Sequence, residues 1–156
     1  MMNKEHIATA KGMNLGISRK FAVEIGRFIK GKKLSRAKIL LEGVIVQDVA
    51  VPFTKYNFDL GHKRGSVGPG RFPVKASKEI LYLIKSAEMN AINKNFDIEN
   101  IYVNNILVGK GSTTNRGGRA RGRQAKRTHI EIILEEKEKK QEDKKKVQKK
   151  WLRENL

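Results

Sequence analysis

Apolar alternation stops at Val108 and resumes at Ile130, and this gap limits what the chain can fold into more than any other feature. It contains TTNRGGRARGRQAKR, Thr113–Arg127, with six basic residues, three glycines and no acid. Such a segment cannot pack on a core. Residues 99–108 before it have strand composition, and Ile130, Ile132 and Leu134 after it alternate as in a half-buried strand. The two runs read as the arms of one hairpin over about 105–130. At ~3.3 Å per residue and about ten residues per arm, the unsupported part reaches up to ~30 Å. A bare two-stranded ribbon is marginal in water, and arginines on both arms repel each other. The finger makes sense only when something anionic surrounds it. Arg116, Arg119, Arg121 and Arg123 can make forked bonds to phosphate, and Gly117, Gly118 and Gly122 allow close backbone approach. The plain alternative is an unstructured basic surface loop. The strands on both sides favour a structured finger.

The whole chain carries the same sign. Its 156 residues have a net charge of +18 and a pI near 10.3. An excess of that size needs a polyanion, with nucleic acid first and a membrane surface second. No apolar run reaches the ~18 residues of a spanning helix, so no membrane span is expected. MMNKEHIATAK has no apolar stretch of the secretory kind. The absence of cysteine excludes disulfides and thiolate metal sites. A cytoplasmic location is expected. The length predicts one domain, residues 1–135, followed by a charged extension, 136–156. In that extension, acid–lysine pairs at i, i+4 allow a solvated helix, and Trp151 is its one large aromatic.

The remaining elements follow from periodicity. Residues 6–11 read as a short edge strand. Ser18 is positioned to cap a first helix, with Phe21, Ala22, Ile25, Phe28 and Ile29 on one face and Gly31 at its stop. Ser35 is expected to cap a second helix, stapled by Leu34 and Ile39 and ended by Val51-Pro52. Residues 53–72 lack helical periodicity and read as a loop. Pro73 opens the longest helix, about 73–94, with Ile80, Ile84, Ala87 and Ala91 in register.

The loop holds a second basic site, His62-Lys63-Arg64-Gly65 followed by Gly68-Pro69-Gly70-Arg71. It is glycine-rich like a phosphate cradle but is no P-loop, since G-x-x-x-x-G-K-[ST] does not occur. It leads into a helix N-terminus, which favours an anion, and Lys75 and Lys78 follow on that helix. Read plainly, it is an ordinary surface loop. Catalytic chemistry is nearly absent. His6, His62 and His129 are scattered with no metal-ligand spacing, no carboxylate pair stands apart, and aromatics are too sparse for a base-stacking platform. No metal, cofactor or catalytic residue is expected.

Two stretches together carry a resemblance. NFDLGHKRGSVGPGRFPVKASKEIL looks like the archaeal and eukaryotic form of the central loop and long helix of one ribosomal protein family. GRARGRQAKRTHIEIIL is similar to that family's hairpin, with Arg-Ala-x-Gly-Arg near the tip. The family is the universal large-subunit one numbered twenty-two in bacteria and seventeen in eukaryotes. The likeness covers roughly residues 5–135, and NLGISRKFAVEI, containing Arg19 and Lys20, shares its archaeal form. It implies an α+β fold, with three helices on a three-stranded antiparallel sheet and one long protruding hairpin. It implies a structural, non-enzymatic role in the cytoplasmic large subunit. Expected partners are large-subunit rRNA, neighbouring ribosomal proteins and, transiently, the nascent peptide. Carried over, the RNA contacts fall on Arg19, Lys20, His62, Lys63, Arg64, Arg71, Lys75, Lys78, Arg116, Arg119, Arg121, Arg123, Lys126 and Arg127. The tip that lines the peptide exit tunnel falls on Gly117, Gly118, Arg119, Ala120 and Arg121. The family often has proline just before the tip Arg-Ala, where this chain has Gly118. A free-standing nucleic-acid binder and an RNA-acting enzyme are the rival readings. The first gains little from a long unsupported finger, and the second needs a catalytic constellation that is not visible.

Overall fold

The computed structural model describes residues 6–136. The main sheet is antiparallel and three-stranded: β1 (Ile7–Leu15), β8 (Thr128–Glu136) and β5 (Ile101–Lys110), in that order. β8 is central because its inner face is the most regularly apolar. Ile130, Ile132 and Leu134 alternate inward and are almost fully buried. β5 and β8 pair from Ile101↔Glu136 to Lys110↔Thr128, so they are the two arms of one hairpin, as the pattern predicts. β1 is the edge strand but runs past residue 11 to Leu15. Ala8, Ala10 and Gly12 alternate inward, then a bulge with Asn14 at φ 53° carries the pairing to Leu15↔Thr128. Three helices cover one face: α1 (Arg19–Ile29), α2 (Leu34–Val46) and α3 (Val74–Asn93). α1 packs on β5, while α3 packs on β1 and α2. Each fully buried Ile or Leu, such as Ile25, Leu41, Ile80 and Ile84, contributes about 1.5–3 kcal/mol.

Three expectations need correction. Ser35 does not cap α2, because Lys33 is the N-cap and Leu34 is already helical and buried. The cause lies across the sheet. Gly31 N–H donates to the Val103 carbonyl at 2.7 Å and Val103 N–H to the Lys32 carbonyl at 2.9 Å. The linker is pinned to β5, so the helix starts at once, and Ile39 stands 57 % exposed instead of closing a staple. α2 also ends before Val51-Pro52. Gln47 turns left-handed at φ 68°, and Asp48 and Val49 donate back to the Gly43 carbonyl. Val51–Pro52 then forms β2. The loop 53–72 is not wholly irregular either. β3 (His62–Lys63) and β4 (Gly68–Arg71) pair with each other, and β4 also pairs with β2. Glycine and proline carry no alternation, so these strands have no sequence signature.

Beyond Lys110 and Thr128 the finger continues. Gly111 N–H donates to the Arg127 carbonyl at 3.0 Å, β6 (Thr114–Asn115) pairs with β7 (Gln124–Ala125), and Arg116 N–H donates to the Arg123 carbonyl at 2.9 Å. A single 3₁₀ turn, Gly118–Ala120, makes the tip. Gly118 sits there at φ +61°. Proline's ring holds φ near −65°, so this tip geometry excludes the proline the family often has. The expected α+β arrangement is present, with the second small sheet added. The extension and Trp151 lie outside the described residues, except that Glu136 still belongs to β8.

Candidate nucleic-acid interface

The starts of α1 and α3 and the root of the finger meet around the Leu15–Ser18 turn. Thr128 fixes this junction. Its hydroxyl is fully buried and donates to the Ile17 carbonyl at 2.9 Å, tying the first residue of β8 to the residues before α1. Gly16 marks the closest approach. A methyl group there would lie 3.5 Å from an Arg127 guanidinium nitrogen and 3.6 Å from the Lys75 ammonium. Cations from the finger and from α3 therefore both reach Gly16, though 52 residues separate them in the chain (127 minus 75).

Two open grooves flank the junction. One, of about 530 Å³, runs between α1, α3 and the finger and has Lys75, Arg116 and Lys126 on its walls with Phe21 and Phe72. The other, of about 370 Å³, is lined by Arg19, Lys20, Lys110, Thr113, Lys126 and Arg127. No carboxylate lines either groove. The helix ends add to the field. Neither α1 nor α3 has an acid in its first turn, and the Ser18 side chain makes no capping hydrogen bond. Arg19, Lys20, Lys75 and Lys78 crowd the positive ends of two helix dipoles, which is unfavourable until an anion arrives.

The central-loop cations form a neighbouring group. β3 and β4 set Lys63 and Arg71 on a small sheet, where each sits over a ring: Lys63 is 5.4 Å from the Phe72 centroid and Arg71 5.9 Å from that of Phe21. Phe21 and Phe72 also line the larger groove, so this sheet continues its wall. His62 and Arg64 are exposed at the sheet's outer end. The structure thus brings together Arg19, Lys20, Lys75, Arg116, Lys126 and Arg127, with Lys63 and Arg71 beside them. Lys78 lies exposed one turn further along α3. Arg119, Arg121 and Arg123 are exposed at or next to the tip, and none of them lines either groove.

Sequence reasoning missed two residues here. Lys110 lines the second groove; it ends β5 opposite Thr128, and its place at the finger's root beside Lys126 and Arg127 is the signal that could have found it. Glu24 is fully buried on α1 and accepts N–H groups from Thr54 at 3.1 Å, Lys55 at 2.8 Å and Tyr56 at 2.8 Å. Nothing local marks this acid as buried. Its donors lie 30 to 32 residues away. Among the described residues, no group of three acids or histidines is placed to hold a metal ion, and no helix is long and apolar enough to cross a membrane.

Fold and site define a class: a small, strongly basic α+β protein whose cations converge at the root of a long hairpin. Residues 10–135 match the family described as Ribosomal protein L22p/L17e, and the chain belongs to that family. Its relatives include proteins named "Large ribosomal subunit protein uL22". The one from Ignicoccus hospitalis is 40 % identical over 144 residues, covering 86 % of this chain and 91 % of its own. That from Methanococcus maripaludis is 40 % identical over 139 residues, covering 85 % and 91 %. That from Methanocaldococcus jannaschii is 39 % identical over 142 residues, covering 86 % and 91 %.

Proposed function

We propose that this chain is a structural constituent of the cytoplasmic large ribosomal subunit, where it grips large-subunit rRNA at the root of its finger and sends the tip into the peptide exit tunnel. The supporting observation is the carboxylate-free junction where Arg19, Lys20, Lys75, Arg116, Lys126 and Arg127 meet between two helix N-termini. Those groups suit the phosphates of a folded RNA. Side chains cannot enter the deep major groove of A-form RNA, so shape and backbone carry the recognition. His62, Lys63, Arg64 and Arg71 extend the contact over the small sheet, and Lys78 extends it along α3. Arg119, Arg121 and Arg123 meet RNA along the finger. Gly117, Gly118, Arg119, Ala120 and Arg121 border the tunnel, where the nascent peptide passes. Neighbouring ribosomal proteins complete the surroundings. The role needs no catalytic group.

Protein-free archaeal large-subunit rRNA provides the test. With six or more phosphates engaged, log K should fall with log salt at a slope of roughly −4 or steeper. A nearly flat dependence would refute phosphate-led binding. For the tunnel, a photo-crosslinking residue at position 119 should capture a stalled nascent chain in intact ribosomes. Crosslinks to rRNA alone would leave the finger as a docking element only.

A further inference from the structure

Phe58 is 90 % exposed, the most exposed large apolar side chain among the described residues. A lone exposed apolar residue is ordinary, but the segment carrying this one is held in place. Buried Glu24 takes the N–H groups of Thr54, Lys55 and Tyr56. Leu60 N–H then donates to the Asn57 carbonyl at 3.2 Å, and Asp59 adopts φ 53° to close the turn. Tyr56 and Leu60 pack against the core on either side, so Phe58 between them is turned outward by the backbone. Cations stand close to it in the chain. The ammonium groups of Lys20 and Lys55 lie 5.6 and 5.8 Å from the Tyr56 ring centroid, and His62, Lys63 and Arg64 follow on the small sheet. The rings of Phe21, Tyr56 and Phe72 each have a cation over them, whereas that of Phe58 has none from the described residues.

We infer that Phe58 stacks on an unpaired base of large-subunit rRNA, with Lys55 and Lys63 on the flanking phosphates. The inference rests on the RNA reading above. A splayed base is a flat apolar face bounded by phosphates, and an exposed ring with Lys55 and Lys63 three and five residues away in the chain is its complement. An apolar pocket on a protein would match the ring but not the cations around it. Exposed Asp59 is the one carboxylate adjacent in sequence, and a base edge offers N–H groups that a carboxylate can accept.

The test measures binding to protein-free archaeal large-subunit rRNA across a salt series for wild type, F58A, F58W, F58L and K63A. Because Phe58 is exposed, its three variants should unfold at the wild-type temperature. F58A should bind about tenfold more weakly with an unchanged salt slope, since stacking releases no counterion. F58W should keep wild-type affinity and F58L should not. K63A should instead reduce the slope by about one. Should wild type itself bind without a steep salt dependence, the RNA reading fails. Wild-type binding matched by F58A would overturn the stacking inference alone. So would an F58L variant as good as wild type, because the contact would then be apolar packing. Weakened retention of F58A on assembled subunits with intact binding to naked rRNA would assign Phe58 to a neighbouring protein, and would also overturn the inference.

Discussion

At the scale of single residues, Glu24 shows how one buried charge is made tolerable. A carboxylate removed from water is costly unless donors surround it. Three backbone N–H groups and the Thr54 hydroxyl, at 3.4 Å, provide them. The relation is mutual, because Glu24 is the acceptor that holds those three N–H groups in place. Glu24→Ala should therefore destabilise by about 2–4 kcal/mol, read as a lower urea midpoint with an unchanged m-value. Glu24→Gln keeps one acceptor oxygen and should lose about half as much. Faster hydrogen exchange at Thr54, Lys55 and Tyr56 should accompany both. A loss below ~0.5 kcal/mol for Glu24→Ala would show that the loop finds other acceptors, and that this carboxylate does not hold it.

At the scale of elements, the hairpin is one ladder with two different supports. From Ile101 to Lys110 it lies on the helices, with Ile130, Ile132 and Leu134 buried behind it. From Ser112 to Arg119 every residue is exposed, and the ladder thins to the β6–β7 pairs and the Arg116–Arg123 bond. Backbone bonds with no packed side chains behind them open easily, and like charges on both arms favour opening. In the free protein, amides over 112–126 should exchange far faster than those of Ile130, Ile132 and Leu134. Adding rRNA should slow them. Equal protection of Arg116 and Ile132 without RNA would mean the finger is stable alone and gains nothing from a polyanion.

At the scale of the whole molecule, core and finger should separate cleanly at the Gly111–Arg127 pair. Replacing Ser112–Lys126 by Asn-Gly keeps that pair and closes it with a two-residue turn. The Thr128–Ile17 bond and all three helices remain. The variant should unfold within a few degrees of wild type, measured by circular dichroism. It should still bind rRNA through Arg19, Lys20, Lys63, Arg71 and Lys75, more weakly and with a salt slope shallower by up to about 4 units, since five cations are gone. Failure to fold would place part of the core beyond Gly111. An unchanged slope would mean the finger cations touch no phosphate.

Much of this was legible in the chain because it is written locally. The hairpin follows from apolar alternation broken by a cationic run, and α3 follows from a repeat of three to four residues; both signals sit within one element. The need for a polyanion follows from net charge, which no folding changes. Resemblance to the family rests likewise on contiguous stretches. The start of α2, the small sheet and the burial of Glu24 were not legible, because each depends on partners far along the chain. Val103 sets where α2 begins, Gly70 and Arg71 receive β2, and the donors to Glu24 lie a whole helix away. The meeting of Lys75 with Arg127 at Gly16 belongs to the same group. Sequence alone determined which cationic side chains this protein carries. Tertiary packing decided which of them stand together, because a contact such as the Thr128 hydroxyl on the Ile17 carbonyl, spanning 111 residues, forms only when the whole core closes.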